Sequence, residues 1–205
     1  MNYKSFIETF AEYLILFGEA DEDSIKGASL KEINKLESNL NIKLPEIYKQ
    51  FLIKMGKKAG RYGRGEYMFI NSLEQIQTNA NNLLEDDKSE LFPLTNNFTF
   101  FMHEDYDFLF FPLNQGDNPP IYRYLDKNIY NDEIKTNFSY REKQYGLIRT
   151  QKFNKICYSE NGGKQFDSFS DFLLNQLDRM LTRNKEEEYE EEYNEMIESF
   201  KLSNT

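Results

Sequence analysis

The run His103-Glu104-Asp105-Tyr106-Asp107 is the densest set of potential ligands and acid–base groups in the chain. A zinc enzyme needs three protein ligands, usually with more than one His or Cys among them. His103 is the single histidine, so the run reads as a hairpin turn with solvated carboxylates and not as a metal centre. It also lacks the longer acidic spacing about a central glycine that calcium loops use. Cys157 is the single cysteine. A thiol nucleophile needs a histidine base and a third, orienting group. No local signature of that kind surrounds Cys157, and a small packed thiol is expected there.

Gly60-Arg61-Tyr62-Gly63-Arg64-Gly65 invites comparison with a phosphate cradle, but it lacks the Gly-Lys-Ser/Thr ending and follows a helical pattern instead of a strand. Its arginines and tyrosine could touch RNA, yet the chain's net charge of −10 opposes that partner. A mobile loop is expected. No Gly-x-Ser-x-Gly elbow, His-Glu-x-x-His pair or dinucleotide fingerprint is present. Acidic residues are so common that no pair stands out as acid and base. The sequence does not read as an enzyme, and no catalytic residue, metal ligand or cofactor is expected.

The elements that must position these residues follow from composition and period. In 205 residues, aromatics reach 16% with no Trp, so a core built from Phe and Tyr is expected. The excess of acid disfavours direct binding to nucleic acid or to anionic lipid, because both need cations that displace counterions. It favours a basic partner. No apolar run approaches a membrane span, and the start of the chain lacks the pattern of a signal peptide, so a cytoplasmic location is expected.

Tyr3, Phe6, Ile7, Phe10, Tyr13, Leu14 and Phe17 recur at helical steps, predicting a helix over 3–17 that stops at Gly18. Residues 19–28 read as a loop. Ser29-Leu30-Lys31-Glu32 is a capping box, followed by Leu30, Ile33, Leu36 and Leu40 on one stripe. Pro45 fits the first position of a third helix carrying Ile47, Tyr48, Phe51, Leu52 and Met55. A strand is predicted over 67–70 and a helix over 73–84. Strands are predicted over 98–102, 108–112 and 121–125, near 147–150 and near 155–158. A long helix then starts after Ser168 or Ser170. Residues 183–205 hold eight glutamates against Arg183, Lys185 and Lys201, yet Tyr189, Tyr193, Met196, Ile197 and Phe200 share a helical stripe. An acidic helix over 184–201 is expected. Helices first, strands in the middle and a closing helix make an α+β chain, expected to form a single domain over 1–205.

Several of these segments, in order, resemble the SUKH superfamily, which includes the fungal Smi/Knr-type cell-wall regulators and many bacterial immunity proteins. They are Leu30-Lys31-Glu32-Ile33-Asn34-Lys35-Leu36-Glu37, then Ile42-Lys43-Leu44-Pro45-Glu46-Ile47-Tyr48-Lys49-Gln50-Phe51-Leu52, then Ser72-Leu73-Glu74-Gln75-Ile76. Phe110-Phe111-Pro112-Leu113, the stretch from Gly116-Asp117-Asn118-Pro119-Pro120 into Ile121-Tyr122-Arg123-Tyr124, and Phe169-Ser170-Asp171-Phe172-Leu173 complete the set. The resemblance covers about 29–182. The chain departs from it in the helix before Ser29, in Met55-Gly56-Lys57, in the longer segment 126–145 and in the acidic C-terminal segment.

What the resemblance implies is a SUKH-like domain with a mixed, mostly antiparallel sheet flanked by helices, extended by the N- and C-terminal helices. It implies action by protein binding. For the bacterial branch this means binding and neutralising a cognate polymorphic toxin, often a nuclease. The alternative is a regulatory scaffold or adaptor in signalling or cell-wall synthesis. The acidic balance fits a basic toxin, and Glu104, Asp105, Tyr106, Asp107 and Asp117 are the candidate partner-binding residues, with Tyr106 as an aromatic anchor. A homodimer through the C-terminal helix is a further expectation.

Overall fold

The first helix, α1 (Tyr3–Leu16), starts where the Asn2 side chain accepts a hydrogen bond from the Ser5 amide at 3.2 Å, and it buries Phe6, Ile7, Phe10 and Leu14. Its stripe and length match the spacing of the sequence. The computed structural model describes residues 1–126 and 163–184. The segment read as a loop before Ser29 instead holds a short 3-10 turn (Glu22–Ser24) and a two-residue strand, β1 (Ile25–Lys26).

Helix α2 (Leu30–Leu40) begins with the expected capping box: Ser29 Oγ accepts from the Glu32 amide at 3.3 Å, and Glu32 Oε2 accepts from the Ser29 amide at 2.8 Å. Leu30 departs from its stripe. It is 64% exposed, because the first turn projects beyond the core that takes Ile33 and Leu36. Pro45 sits at the cap position, and α3 (Glu46–Met55) begins one residue later than expected. A second two-residue strand, β2 (Lys58–Ala59), pairs antiparallel with β1.

The predicted strand over 67–70 is absent. Only Tyr67 forms a bridge, exchanging backbone hydrogen bonds of 3.0 Å with Met102. Helix α4 (Leu73–Asp86) follows, burying Leu73, Ile76, Ala80 and Leu84. Then come β3 (Asn97–His103), β4 (Asp107–Pro112) and β5 (Ile121–Leu125), close to their predicted positions. A fourth strand, β6 (Gly163–Phe166), carries too few β-branched or aromatic residues to have been read from the sequence. The long helix α5 (Phe169–Asn184) starts at Ser168, whose Oγ accepts from the Asp171 amide at 3.1 Å.

The larger sheet has the order β3-β4-β5-β6, and all its described pairings are antiparallel. Five helices and two antiparallel sheets among the described residues make the chain α+β. The strands expected near 147–150 and 155–158, Cys157, and the acidic helix beyond Asn184 lie outside the described residues.

One hydrophobic cluster runs from Phe6 in α1 to Met180 in α5. Its centre is Tyr48, fully buried, with the rings of Phe51, Phe98, Phe100, Phe111 and Phe169 at centroid distances of 5.2–6.0 Å. Because alternate residues of a strand face opposite ways, Phe98 and its cross-strand partner Phe111 take one face of the sheet under α3 and α5. Phe108 stacks on Tyr124 and Phe110 on Tyr122 on the other face, where the Tyr124 hydroxyl donates to Asp87 at the end of α4. Burial and the Asp87 carboxylate push that phenol well above its ordinary pKa.

Candidate functional site

Strand β3 ends at His103 and β4 begins at Asp107, so residues 104–106 form the tip of a hairpin. The Tyr106 amide donates to His103 O, and the two residues between them, Glu104 and Asp105, have φ of 43° and 61°. That left-handed pair is what the primed hairpin turns require, and Asn-Gly is the relaxed choice there. A carboxylate side chain in this region costs on the order of 1 kcal/mol. Asn79 of α4 steadies the tip by donating to Asp105 Oδ1 at 2.7 Å. Glu104 and Asp105 are exposed, and Tyr106 is partly so, its ring meeting the His103 ring edge-on at 5.5 Å.

The other two candidate residues have internal duties. Asp107 is only 8% exposed, and its carboxylate accepts from both Nε (2.7 Å) and Nη2 of Arg123. Leu109 pairs with Arg123 across β4 and β5, which places Asp107 and Arg123 diagonally on one face. Asp117 lies in the loop between β4 and β5, at the end of β4 opposite to the tip, and β4 itself is about 17 Å long at about 3.4 Å per residue. There its Oδ1 accepts from the Glu46 amide at 3.3 Å and its carbonyl from the Ile47 amide at 3.1 Å. Pro45 has no side chain that could cap α3, and Asp117 supplies that cap from 71 residues away. Its neighbour Asn118 donates to Ser170 Oγ and accepts from the Ser170 amide, fastening the same loop to α5. The structure therefore brings together Glu104, Asp105 and Tyr106, with Asp107 beneath them, and leaves Asp117 elsewhere.

The glycine-rich segment, expected as a mobile loop, is built of hydrogen-bonded turns. Tyr62, Arg64 and Glu66 each donate their amide three residues back, giving three successive turns, and the Arg61 amide donates to Glu19 O at 2.6 Å. The Arg61 guanidinium donates to Gly18 O at 2.7 Å, and the Tyr62 ring packs into the core against Phe10 at 5.5 Å. Gly60, at φ 63°, passes so close to the chain that a Cβ would lie 2.3 Å from Glu19 O, so no other residue fits.

Glu66 then joins the loop to the hairpin. Its carboxylate oxygens lie 3.0 and 2.9 Å from His103 Nδ1. With the Tyr67–Met102 bridge, this sets the basic loop beside the acidic tip, with Tyr67 46% exposed between them. The sequence carried no signal for this pairing, because Glu66 and His103 stand 37 residues apart and neither belongs to a local motif. Among the described residues no group of three His, Cys, Asp or Glu is placed to hold a metal ion, and no helix is long and apolar enough to cross a membrane.

A family model described as SMI1-KNR4 cell-wall, SUKH_6, matches residues 30–142, more than half of the chain. The chain belongs to this family. The match begins at the first residue of α2, takes in the glycine-rich loop and the hairpin tip, and passes β5. The α+β arrangement seen here is thus that of a SUKH domain, a class of protein-interaction module. No curated protein matches the chain.

Proposed function

We propose that this SUKH chain is a cytoplasmic immunity protein that binds and neutralises a cognate bacterial toxin. The toxin would be a basic protein, met by Glu104, Asp105 and Tyr106 at the hairpin tip. Asp107 would act beneath them through Arg123, and Asp117 through the α3 cap. The observation that carries this proposal is the backbone of the tip. Two acidic residues occupy left-handed positions where a hairpin serving only the fold would be more stable with Asn-Gly. Carboxylates retained at such a place, with a tyrosine beside them, suit a contact in which charge steers the encounter and an aromatic ring anchors it. The action is binding, without a catalytic step.

The family description names the cell wall, and this favours a second reading as a regulatory scaffold or adaptor. Co-expression with the product of the neighbouring reading frame separates the two. An immunity protein restores growth to cells producing that product and forms a stoichiometric complex with it. The rescue should be lost on Glu104→Lys with Asp105→Lys and weakened by Tyr106→Ala, while the variants remain folded. A neighbouring product that neither harms cells nor binds the chain would remove the toxin reading and leave the scaffold.

A further inference from the structure

The basic loop and the acidic hairpin tip share a border. The loop bounds a hollow of about 390 Å³, with Lys58, Arg61, Arg64, Glu66 and Phe69 among its lining residues. Glu66 is turned to the border, both its carboxylate oxygens lying on His103 Nδ1, and next to it the exposed Tyr67 bridges Met102 of β3. Glu104 and Asp105 follow His103 directly. The charges on both sides of this border are available. Lys58 and Arg64 are exposed and form no ion pair with a carboxylate among the described residues. Lys58 also faces Lys26 across the β1–β2 ladder, where like charges oppose the pairing. Arg61 is committed in part, to Gly18 O and, at 3.8 Å, to the Glu19 carboxylate. Glu104 and Asp105 are exposed and likewise without an ion pair among the described residues, Asp105 taking one hydrogen bond from Asn79.

Two adjacent patches of opposite sign become complementary to themselves after a half-turn. A two-fold axis at the border sets the tip of one molecule against the basic loop of the other, and does so twice, because in such a contact residue i meets j and j meets i. We propose that this face joins two copies of the chain in a two-fold dimer. Glu104 and Asp105 of each copy meet Lys58 and Arg64 of the other, with the two Tyr67 side chains near the axis. Glu66, spoken for by His103, leaves the hollow's cations to the incoming carboxylates. The net charge of −10 opposes self-association. At about 0.15 M salt, however, charges more than about 8 Å apart are largely screened, so the pairs in contact decide. Dimer formation would also offset the Lys26–Lys58 repulsion. The inference goes beyond the toxin reading and does not rest on it, since both partners are this chain.

Sedimentation velocity of the full chain tests it, from about 10 µM to about 1 mM, the span in which weak contacts dissociate. A monomer–dimer equilibrium is expected, with a dimer fraction that falls several-fold between about 20 mM and about 0.5 M salt. Two variants sharpen the test. Lys58→Glu with Arg64→Glu makes both patches acidic, and Glu104→Lys with Asp105→Lys makes both basic; all four changes lie at exposed positions. Each variant alone should be monomeric. An equal mixture should form heterodimers, because tip and loop are then complementary at both contacts. Both variants keep a net negative charge, so general attraction cannot mimic that result. The wild-type salt series needs no variant and decides the matter even if one fails to fold. A monomeric wild type, a dimer indifferent to salt or to the reversals, a series of larger species, or a mixture of folded variants without heterodimers would each overturn the proposal.

Discussion

The side chain of Gln77 holds both backbone groups of Thr99: its Nε2 donates to Thr99 O at 2.6 Å, and its Oε1 accepts from the Thr99 amide at 2.9 Å. β3 is the first strand of its sheet, so these groups would otherwise face outward as an open edge. Tyr67 closes the same edge at Met102. Gln77→Ala should cost about 2 kcal/mol in urea denaturation, because two strand groups lose their partners. Gln77→Glu keeps the acceptor and loses the donor, so it should also destabilise the chain. Light scattering should show greater self-association for Gln77→Ala. A cost below about 0.5 kcal/mol, typical of a surface change, would mean that water replaces the glutamine without penalty.

Asp107 and Glu104 lie three residues apart and should behave in opposite ways. Asp107→Asn removes the charge that Arg123 grips in a mostly buried site, and about 2–3 kcal/mol of stability should go with it. Glu104→Gly relaxes a left-handed position and should be neutral or stabilising by about 0.5–1 kcal/mol. If Glu104 serves binding, the same variant should slow association with the partner and flatten its dependence on salt. Stopped-flow measurements at low and high salt compare the two.

The Tyr48 hydroxyl is buried in the middle of the aromatic cluster without a hydrogen-bond partner among the described residues, and burial holds its phenol far above the ordinary range. Tyr48→Phe removes a desolvated polar group and keeps the ring, so it should raise stability by about 1 kcal/mol. A loss of stability in thermal or urea unfolding would show that the hydroxyl has a partner after all.

Glu32 sets an acid-side limit. Its hydrogen bond to the Lys57 side chain, then those to Ser29, hold the carboxyl down at about 2, against an ordinary 4.5. A folded-state value below the unfolded one stabilises the chain at pH above the ordinary value, and the contribution fades as pH falls from about 4.5 toward 2. Glu32→Gln should therefore lower stability at neutral pH and leave it nearly unchanged near pH 2. Denaturation curves across that window in the two proteins should converge as acid is added. Parallel curves would show that the Lys57 and Ser29 contacts do not persist in solution.

The helices were legible because their signals are local. Ser29 with Glu32, the stripe of α1 and the run from Ile47 to Met55 each announce themselves within a turn or two. The three central strands were legible from their aromatic runs. Tyr67 was misread as strand because its apolar neighbours Met68, buried, and Phe69, packed against the core, do not continue the bridge. β6 was missed because Gly163-Lys164-Gln165-Phe166 owes its place to pairing with β5, a long-range effect. The roles of Asp107 and Asp117 were hidden for the same reason. Arg123 and Glu46, their partners, lie 16 and 71 residues away.

The loop between β4 and β5 has a mechanical consequence. Adjacent residues, Asp117 and Asn118, hold the starts of α3 and α5 respectively. A displacement of either helix along the sheet must drag this two-residue peg and so push on the other. The starts of the two helices are therefore tied through one loop. The matched family stretch ends at residue 142, before α5 begins, yet Asn118 couples that later helix to the part of the chain the family defines. A force applied at the far end of α5 would reach α3 by two routes, through this loop and through the ring contact of Phe169 with Tyr48.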